Sequence, residues 1–132
     1  REKGYSVDTA ENGKEAIKKS KAKFYNLALI DIRLPDMEGT KLLTAMRETT
    51  PKMVKIIVTG YPSLQNAIEA VNKGADAYVV KPFNMDNVLN TIREHLIKQQ
   101  QAKKFSEEKV AEFIETRARE LEEKITINRK IR

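Results

Sequence analysis

The fold is decided by residues 27–39, which read LALIDIRLPDMEG. The stretch begins with a short apolar run, places Asp31 directly after it and continues into turn residues around Pro35. Short apolar runs of this kind are typical of strands that are buried on both faces of a parallel sheet. The stretch therefore predicts a strand over Leu27–Ile30 with Asp31 at its carboxyl end.

Three more short segments are predicted strands: Tyr5–Ala10, Val54–Val58 and Ala77–Val80. Between and after the strands, apolar residues recur at three-to-four spacing, which predicts amphipathic helices. Their apolar faces hold Ala16 and Ile17; Leu42, Leu43 and Met46; Ala67, Ile68 and Val71; and Val88, Leu89, Ile92 and Leu96. Strands that alternate with helices through short links predict an α/β domain of three layers, with helices on both faces of a parallel sheet.

Polar residues mark where three of these helices begin. Asn12, Ser63 and Asn84 each stand before a helical stretch, where a side-chain oxygen can accept a hydrogen bond from a free backbone N–H. We therefore predict these three residues as N-caps.

Residues 98–132 differ from the alternating part of the chain. The polar run Lys98–Lys104 can either continue the preceding helix or break it, and composition leaves both alternatives open. A helix is predicted to restart at Ser106 as N-cap, with one apolar stripe formed by Val110, Phe113, Ile114, Ala118 and Leu121. The predicted organisation is thus a domain over residues 1–97 and a helical extension over residues 98–132.

Composition limits the class of protein. The 132 residues include no cysteine and one histidine, which excludes disulfides, thiolate metal sites and multi-histidine metal sites. No apolar run approaches the roughly 20 residues of a membrane helix, and the lack of cysteine permits a cytoplasmic location. The net charge of +6 is shared evenly between residues 1–97 and 98–132, and no helix-turn-helix or aromatic stacking platform accompanies it. Direct binding to nucleic acid or to a membrane is therefore not predicted.

Three reactive side chains follow neighbouring predicted strands. Asp31, Thr59 and Lys81 each come at the carboxyl end of a strand, and in open parallel sheets these ends meet at one edge. A carboxylate can accept a phosphoryl group, a hydroxyl can hydrogen-bond a phosphoryl oxygen, and an ammonium can neutralise its charge. Singly each residue is ordinary, but together they predict phosphoryl chemistry.

Around these residues the sequence resembles the receiver domain of two-component response regulators. Residues 29–39 resemble the family's phosphoacceptor loop, with Pro35 and Gly39 four and eight residues after Asp31. The resemblance extends to the segments that carry Thr59 and Lys81, and to the family's second strand and helix. These further segments are Ile56–Tyr61, Ala75–Phe83, Gly4–Val7 and Ala10–Ala16. The implied fold is the flavodoxin-like parallel sheet of that family.

The resemblance implies a role for each matching residue. Asp31 would be phosphorylated, Thr59 and Lys81 would bind the phosphoryl group, and Tyr78 would be the aromatic side chain that reorients as Thr59 moves. Mg²⁺ would be held by Asp31 and the backbone carbonyl of Arg33. The residues that flank the site would be Arg33, Gly60, Tyr61 and Pro82, with a cis peptide bond before Pro82.

One part of the family pattern is missing from the sequence. The family begins with a strand that ends in an acidic pair for Mg²⁺, whereas this chain begins at what resembles the following helix, which implies that roughly 20 residues are lacking. The missing strand would be the central one of the order 2-1-3-4-5, beside Leu27–Ile30. We therefore expect a fragment of a longer gene product with weak or absent Mg²⁺ binding, while a partner chain or Ile125–Ile127 in the gap is the rarer alternative.

The implied function is that of a receiver, not an enzyme in its own right. It would accept a phosphoryl group from a sensor histidine kinase and switch a binding surface for a downstream protein or a second copy. That surface would comprise the Ser63–Lys73 helix, the Ala77–Val80 strand and the helix from Asn84. The alternatives are a pseudo-receiver that binds partners without phosphorylation, and a phosphohydrolase, against which Arg33 stands where such enzymes place a second aspartate.

Overall fold

A three-stranded parallel sheet forms the centre of the computed structural model, which describes residues 4–46, 48–49 and 51–131, with side chains through residue 124. The strands β1 (Leu27–Asp31), β2 (Val54–Thr59) and β3 (Ala77–Val80) lie in the order β1-β2-β3. Register places Asp31 opposite Val58 and Thr59 opposite Val80, so the carboxyl ends of the strands are neighbours. The helices are α1 (Gly13–Ala22), α2 (Gly39–Ala45), α3 (Leu64–Asn72) and α4 (Met85–Ile131).

Apolar clusters cover both faces of the sheet, and β2 contributes to each. All six residues of β2 are buried, as the predicted pattern of a central strand requires. One cluster surrounds Ile57 and contains side chains of α2 and α3. The other surrounds Ile56 and contains Val88 and Ile92 of α4. The prediction of a parallel α/β sheet between helices is confirmed.

The predicted strand over residues 5–10 is wrong. These residues are extended but form no ladder, because no described strand lies beside them to pair their backbone groups. Side chains hold the segment instead. The Asp8 carboxylate accepts a hydrogen bond from the Tyr25 hydroxyl at 2.8 Å and pairs with the Lys23 ammonium at 3.1 Å. The Lys19 ammonium also donates to the Thr9 carbonyl.

The three predicted N-caps are confirmed. The Asn12 side chain accepts a hydrogen bond from the Glu15 N–H at the start of α1. The Ser63 hydroxyl accepts one from the Asn66 N–H at the start of α3. The Asn84 side chain accepts from the backbone N–H groups of Asp86 and Asn87 in the first turn of α4.

Helix α4 continues through the polar run at residues 98–104, which resolves the alternative left open by composition. The run contains only lysine, glutamine and alanine, which are strong helix formers, so nothing in it ends the helix. The predicted N-cap at Ser106 is therefore wrong, since Ser106 lies inside α4, and Ile125–Ile127 is helical as well.

The chain divides into two compact units, Arg1–Gln99 and Gln100–Arg132. The division into a domain over residues 1–97 and an extension over 98–132 stays a prediction. In the second unit, the apolar stripe side chains of Val110, Phe113, Ile114 and Leu121 are 57–60% exposed. Within the described part of the chain, no helix is both long and apolar enough to cross a membrane.

Candidate functional site

Asp31 is the last residue of β1, and its carboxylate is held from two sides. The Lys81 ammonium lies 3.2 Å from Asp31 Oδ2, although the two residues are 50 positions apart in the chain. The Arg33 backbone N–H donates to Asp31 Oδ1 at 3.1 Å. Both side chains are more than 40% exposed, so the pair is open to a ligand from solvent. The structure thus brings together the carboxylate and the ammonium that the sequence places after β1 and β3.

Thr59 lies at the carboxyl end of β2, between these two strands, and is fully buried. Its hydroxyl oxygen accepts a hydrogen bond from the Tyr61 N–H at 2.9 Å, while its carbonyl accepts from the Lys81 N–H at 2.8 Å. Because Oγ1 accepts in this arrangement, the hydroxyl hydrogen is not used by any described hydrogen bond. Thr59 therefore shares the edge with Asp31 and Lys81 but forms no described side-chain bond to either.

The residues predicted to flank the site lie next to one another or next to Lys81. The Arg33 guanidinium stacks on the Tyr61 ring, with 4.0 Å between its central carbon and the ring centroid. The peptide bond between Lys81 and Pro82 is cis, as the family resemblance implies. Gly60 lies beside the Lys81 stem, where an added Cβ would still meet ordinary van der Waals contact at 4.0 Å. The stack of Arg33 on Tyr61 is a contact that sequence spacing could not predict.

Tyr78 lies on β3 and packs against the cluster around Ile57. Its hydroxyl is buried and, among the residues described, has no hydrogen-bond partner. A buried hydroxyl without a partner costs free energy, so Tyr78 is held here by ring packing alone. Nothing in the sequence pattern indicates this unpaired state.

The loop after Asp31 is a tight hairpin. The Gly39 N–H donates to the Ile32 carbonyl at 2.7 Å, and the Leu34 N–H donates to the Met37 carbonyl at 3.1 Å. A Cβ on Gly39 would lie 2.2 Å from the Asp31 carbonyl oxygen, so only glycine allows the backbones to approach this closely. The glycine eight residues after Asp31 is thus required for the shape of the loop.

Asp36 is a residue of this loop that sequence analysis missed. Its two carboxylate oxygens accept the backbone N–H groups of Gly13 and Lys14 at 2.8 and 3.0 Å. The N–H group of Gly13 is the main cause that lowers the pKa of Asp36 below its ordinary value. A turn aspartate after a proline is commonplace, so no local signal could have shown that it binds a helix 22 residues away.

Metal binding at this edge depends on few donors. The Asp31 carboxylate and the Arg33 carbonyl are oxygen ligands of the kind that Mg²⁺ prefers. The described residues contain no group of three or more histidine, cysteine, aspartate or glutamate side chains that could hold a metal ion. The donor set present fits Mg²⁺ in chemistry but is small in number.

Comparison with known proteins places this geometry in a family. The profile of the response regulator receiver domain matches residues 1–93. The transcriptional regulatory protein ZraR of Klebsiella oxytoca is 37% identical over 93 residues, which are 70% of this chain and 21% of that protein. The chain therefore spans about a fifth of the length of this curated relative.

Solved structures show the same likeness. A CheY-like response regulator receiver domain protein from Methanospirillum hungatei JF-1 is 46% identical with a TM-score of 0.71, over 76% of this chain and 80% of that one. A response regulator from Burkholderia pseudomallei, with a phosphorylated aspartic acid, a calcium ion and citrate, is 28% identical with a TM-score of 0.62, over 77% and 60% of the two chains. This chain belongs to the response regulator receiver domain family.

Proposed function

We propose that this chain accepts a phosphoryl group on Asp31 from a sensor histidine kinase of a two-component pathway and thereby switches a protein-binding surface. The observation that supports this most is the contact between Asp31 and Lys81 at the carboxyl edge of the sheet. The relative from Burkholderia pseudomallei carries a phosphorylated aspartic acid on the same fold. The chain acts in this proposal as a signalling module of the cytoplasm and not as an enzyme with its own substrate.

In the proposed transfer an Asp31 carboxylate oxygen attacks the phosphorus atom of the donor. The new oxygen–phosphorus bond forms an acyl phosphate, and the bond between phosphorus and the donor breaks. Lys81 neutralises charge on the phosphoryl oxygens, since its ammonium already lies 3.2 Å from the carboxylate. The Thr59 hydroxyl donates its free hydrogen to one of those oxygens. Arg33, Gly60, Tyr61 and Pro82 border the group and control access of water to it.

Mg²⁺ would be held by the Asp31 carboxylate and the backbone carbonyl of Arg33. When bound, the ion would neutralise charge on the phosphoryl oxygens as they approach the carboxylate. Magnesium prefers octahedral oxygen coordination, and two protein ligands leave the other positions to water or to groups outside the described residues. We therefore expect weak Mg²⁺ binding to the residues described.

The proposed switch connects Asp31 to a surface through Thr59 and Tyr78. A phosphoryl oxygen would draw the Thr59 hydroxyl toward Asp31, and Tyr78 can follow because no described hydrogen bond holds its hydroxyl. The surface consists of the Ser63–Lys73 helix, the Ala77–Val80 strand and the helix from Asn84. It contains the exposed side chains of Leu64, Ile68 and Val71, which are 78%, 51% and 68% accessible and suit a downstream protein or a second copy.

Labelling by a small acyl-phosphate donor tests the proposal. At high Mg²⁺ concentration the wild-type chain should gain the mass of one phosphoryl group, and Asp31→Asn should gain none. Asp86→Asn is the matched control, because it removes an exposed aspartate in the first turn of α4 that forms no described side-chain contact with Asp31 or Lys81. Asp86→Asn should be labelled like the wild type, and hydrogen exchange in α3 and β3 should change on labelling in both of these proteins but not in Asp31→Asn.

Two outcomes contradict the proposal. Equal labelling of the wild type and Asp31→Asn would show that another residue is the acceptor. Absence of labelling at any Mg²⁺ concentration would favour the pseudo-receiver alternative, in which the fold binds partners without phosphoryl chemistry.

A further inference from the structure

We propose that Asp36 is a positioning residue for the acceptor site. Its carboxylate binds the N-terminus of α1 and thereby fastens the 32–38 loop to that helix. The loop carries Arg33, which contacts the Asp31 carboxylate, so the fastening orients groups around the acceptor. The effect on phosphoryl transfer rests on the proposed function, whereas the fastening itself can be measured without it.

The bond between Asp36 and α1 uses both carboxylate oxygens. Oδ1 accepts from Gly13 and Oδ2 from Lys14, at 2.8 and 3.0 Å. These N–H groups belong to the first turn of α1, where the helix itself offers them no acceptor. Asn12 takes the next free N–H group, that of Glu15. A residue from a distant loop therefore completes the cap, and the positive end of the helix dipole favours its negative charge.

A second contact fixes the same place. Met37 lies so close to Gly13 that a Cβ on Gly13 would be 2.4–2.6 Å from three atoms of the Met37 side chain. Two consecutive loop residues thus lie against the start of α1, one through charge and one through apolar packing. The loop is held at its tip as well as at its base.

The base of the loop is where the fastening acts on the acceptor. Arg33 and Glu38 form an isolated antiparallel bridge across the hairpin. From this position the Arg33 N–H donates to Asp31 Oδ1, and the Arg33 side chain stacks on Tyr61. A hairpin fixed at its tip has fewer conformations at its base, so the Arg33 N–H and carbonyl spend more time in the orientation that serves Asp31.

Removal of Asp36 can be compared with removal of the neighbouring cap. Asp36→Ala and Asn12→Ala each delete an acceptor from the same helix end, but only Asp36 links that end to the loop. Three hydrogen-bonded amides serve as reporters: those of Arg33 and Leu34 in the loop, and that of Gly39 directly after it. Asp36→Ala should speed their exchange roughly five- to tenfold, the effect of losing one cap, while Asn12→Ala should leave them near wild type.

Phosphoryl labelling gives the second measurement. The Mg²⁺ concentration for half-maximal labelling should rise severalfold in Asp36→Ala and stay unchanged in Asn12→Ala, although both variants lower the thermal midpoint. Asp36→Asn keeps one acceptor oxygen and should lie between Asp36→Ala and the wild type in both measurements. If Asp36→Ala does not fold, Asp36→Asn can replace it in both measurements.

Two results would overturn the inference. Equal exchange of the loop amides in Asp36→Ala and Asn12→Ala would show that Asp36 only stabilises the helix. Faster loop exchange with an unchanged Mg²⁺ dependence would show that the fastening does not reach the acceptor. If the wild type takes up no phosphoryl group at all, the proposed function fails, and the exchange measurement still decides whether Asp36 fastens the loop.

Discussion

Strand β2 and residues 5–10 are both predicted strands, yet only β2 forms one. The sequence of β2, VKIIVT, is also richer in branched apolar residues than that of residues 5–10, YSVDTA. Beside β2 lie β1 on one side and β3 on the other, so its backbone groups are paired along both edges. Residues 5–10 have no described strand beside them and are held through Asp8 and Thr9. The difference shows that a strand-like sequence forms a strand only where a neighbouring strand can pair with its backbone N–H and C=O groups.

The largest expected effect is a contrast between two valines, one from each region. Val54 of β2 is 6% exposed and packs with Val88 and Ile92, whereas Val7 is 52% exposed. Val54→Ala should lower the free energy of unfolding by about 2 kcal/mol, from lost apolar burial and the cavity left behind. Val7→Ala should change it by less than about 0.5 kcal/mol. Urea denaturation with an unchanged m-value measures both, and equal losses would show that residues 5–10 are buried in solution.

The sheet itself was predictable because its signals are local. Short runs of valine, isoleucine and leucine identify β1, β2 and β3, and the residues before α1, α3 and α4 act as caps whatever surrounds them. The two failures have different causes. A strand over residues 5–10 requires a neighbouring strand, which composition does not show. The N-cap at Ser106 fails because the strong helix formers before it continue α4.

In the candidate site, too, some contacts could be predicted from the sequence and others could not. The approach of Lys81 to Asp31 follows from parallel topology, since β1 and β3 flank β2 and all three strands end at the same edge of the sheet. The stack of Arg33 on Tyr61 and the bonds from Asp36 to α1 depend on loop conformation. Several weak contacts together determine the conformation of a loop, so no single residue type predicts it.

The apolar stripe from Val110 to Leu121 also shows what the sequence predicts and what it does not. Helical periodicity identifies the apolar face correctly, and α4 carries it. The periodicity does not say what covers the face, and Phe113 and Ile114 are 60% exposed. A helix period thus predicts an element and its face, while burial requires a partner surface.

A smaller effect is expected at Lys55, where β2 carries a charge among its buried apolar residues. Lys55 is 7% exposed, and its ammonium donates to the Leu43 carbonyl in α2 at 2.6 Å. Burial lowers the pKa of Lys55 below its ordinary value, with the nearby charge of Lys52 as a further cause. A lysine whose pKa is depressed on folding destabilises the fold while it is charged, so its cost is present at neutral pH.

Lys55→Met should therefore raise the free energy of unfolding at neutral pH by up to about 1 kcal/mol, because methionine fills a similar volume without a charge. The difference from wild type should shrink as the pH rises toward the ordinary lysine value, since wild-type Lys55 then loses its proton. Lys52→Met, at an exposed neighbour, is the control and should change stability little. A clear loss of stability in Lys55→Met would mean that the bond to Leu43 outweighs the cost of burying the charge.

The smallest expected effect concerns residues 5–10, which depend on the carboxylate of Asp8. The pKa of Asp8 is lowered by the hydrogen bond from the Tyr25 hydroxyl first and by the Lys23 ammonium second. A carboxylate whose pKa is depressed in the folded state stabilises it above the unfolded value of about 3.9, and this contribution disappears as the pH falls through the folded pKa. Acidification should therefore release the segment, while β2 keeps the backbone hydrogen bonds that pair it with β1 and β3. Tyr25→Phe should raise the pKa of Asp8 toward its ordinary value in a carboxyl-carbon NMR titration, whereas Tyr5→Phe, which removes a hydroxyl from the segment itself, should leave that pKa in place. If Asp8 titrates alike in both variants, the Tyr25 hydroxyl does not hold it in solution, and the segment must be fastened by Lys23 or by apolar packing of Tyr5.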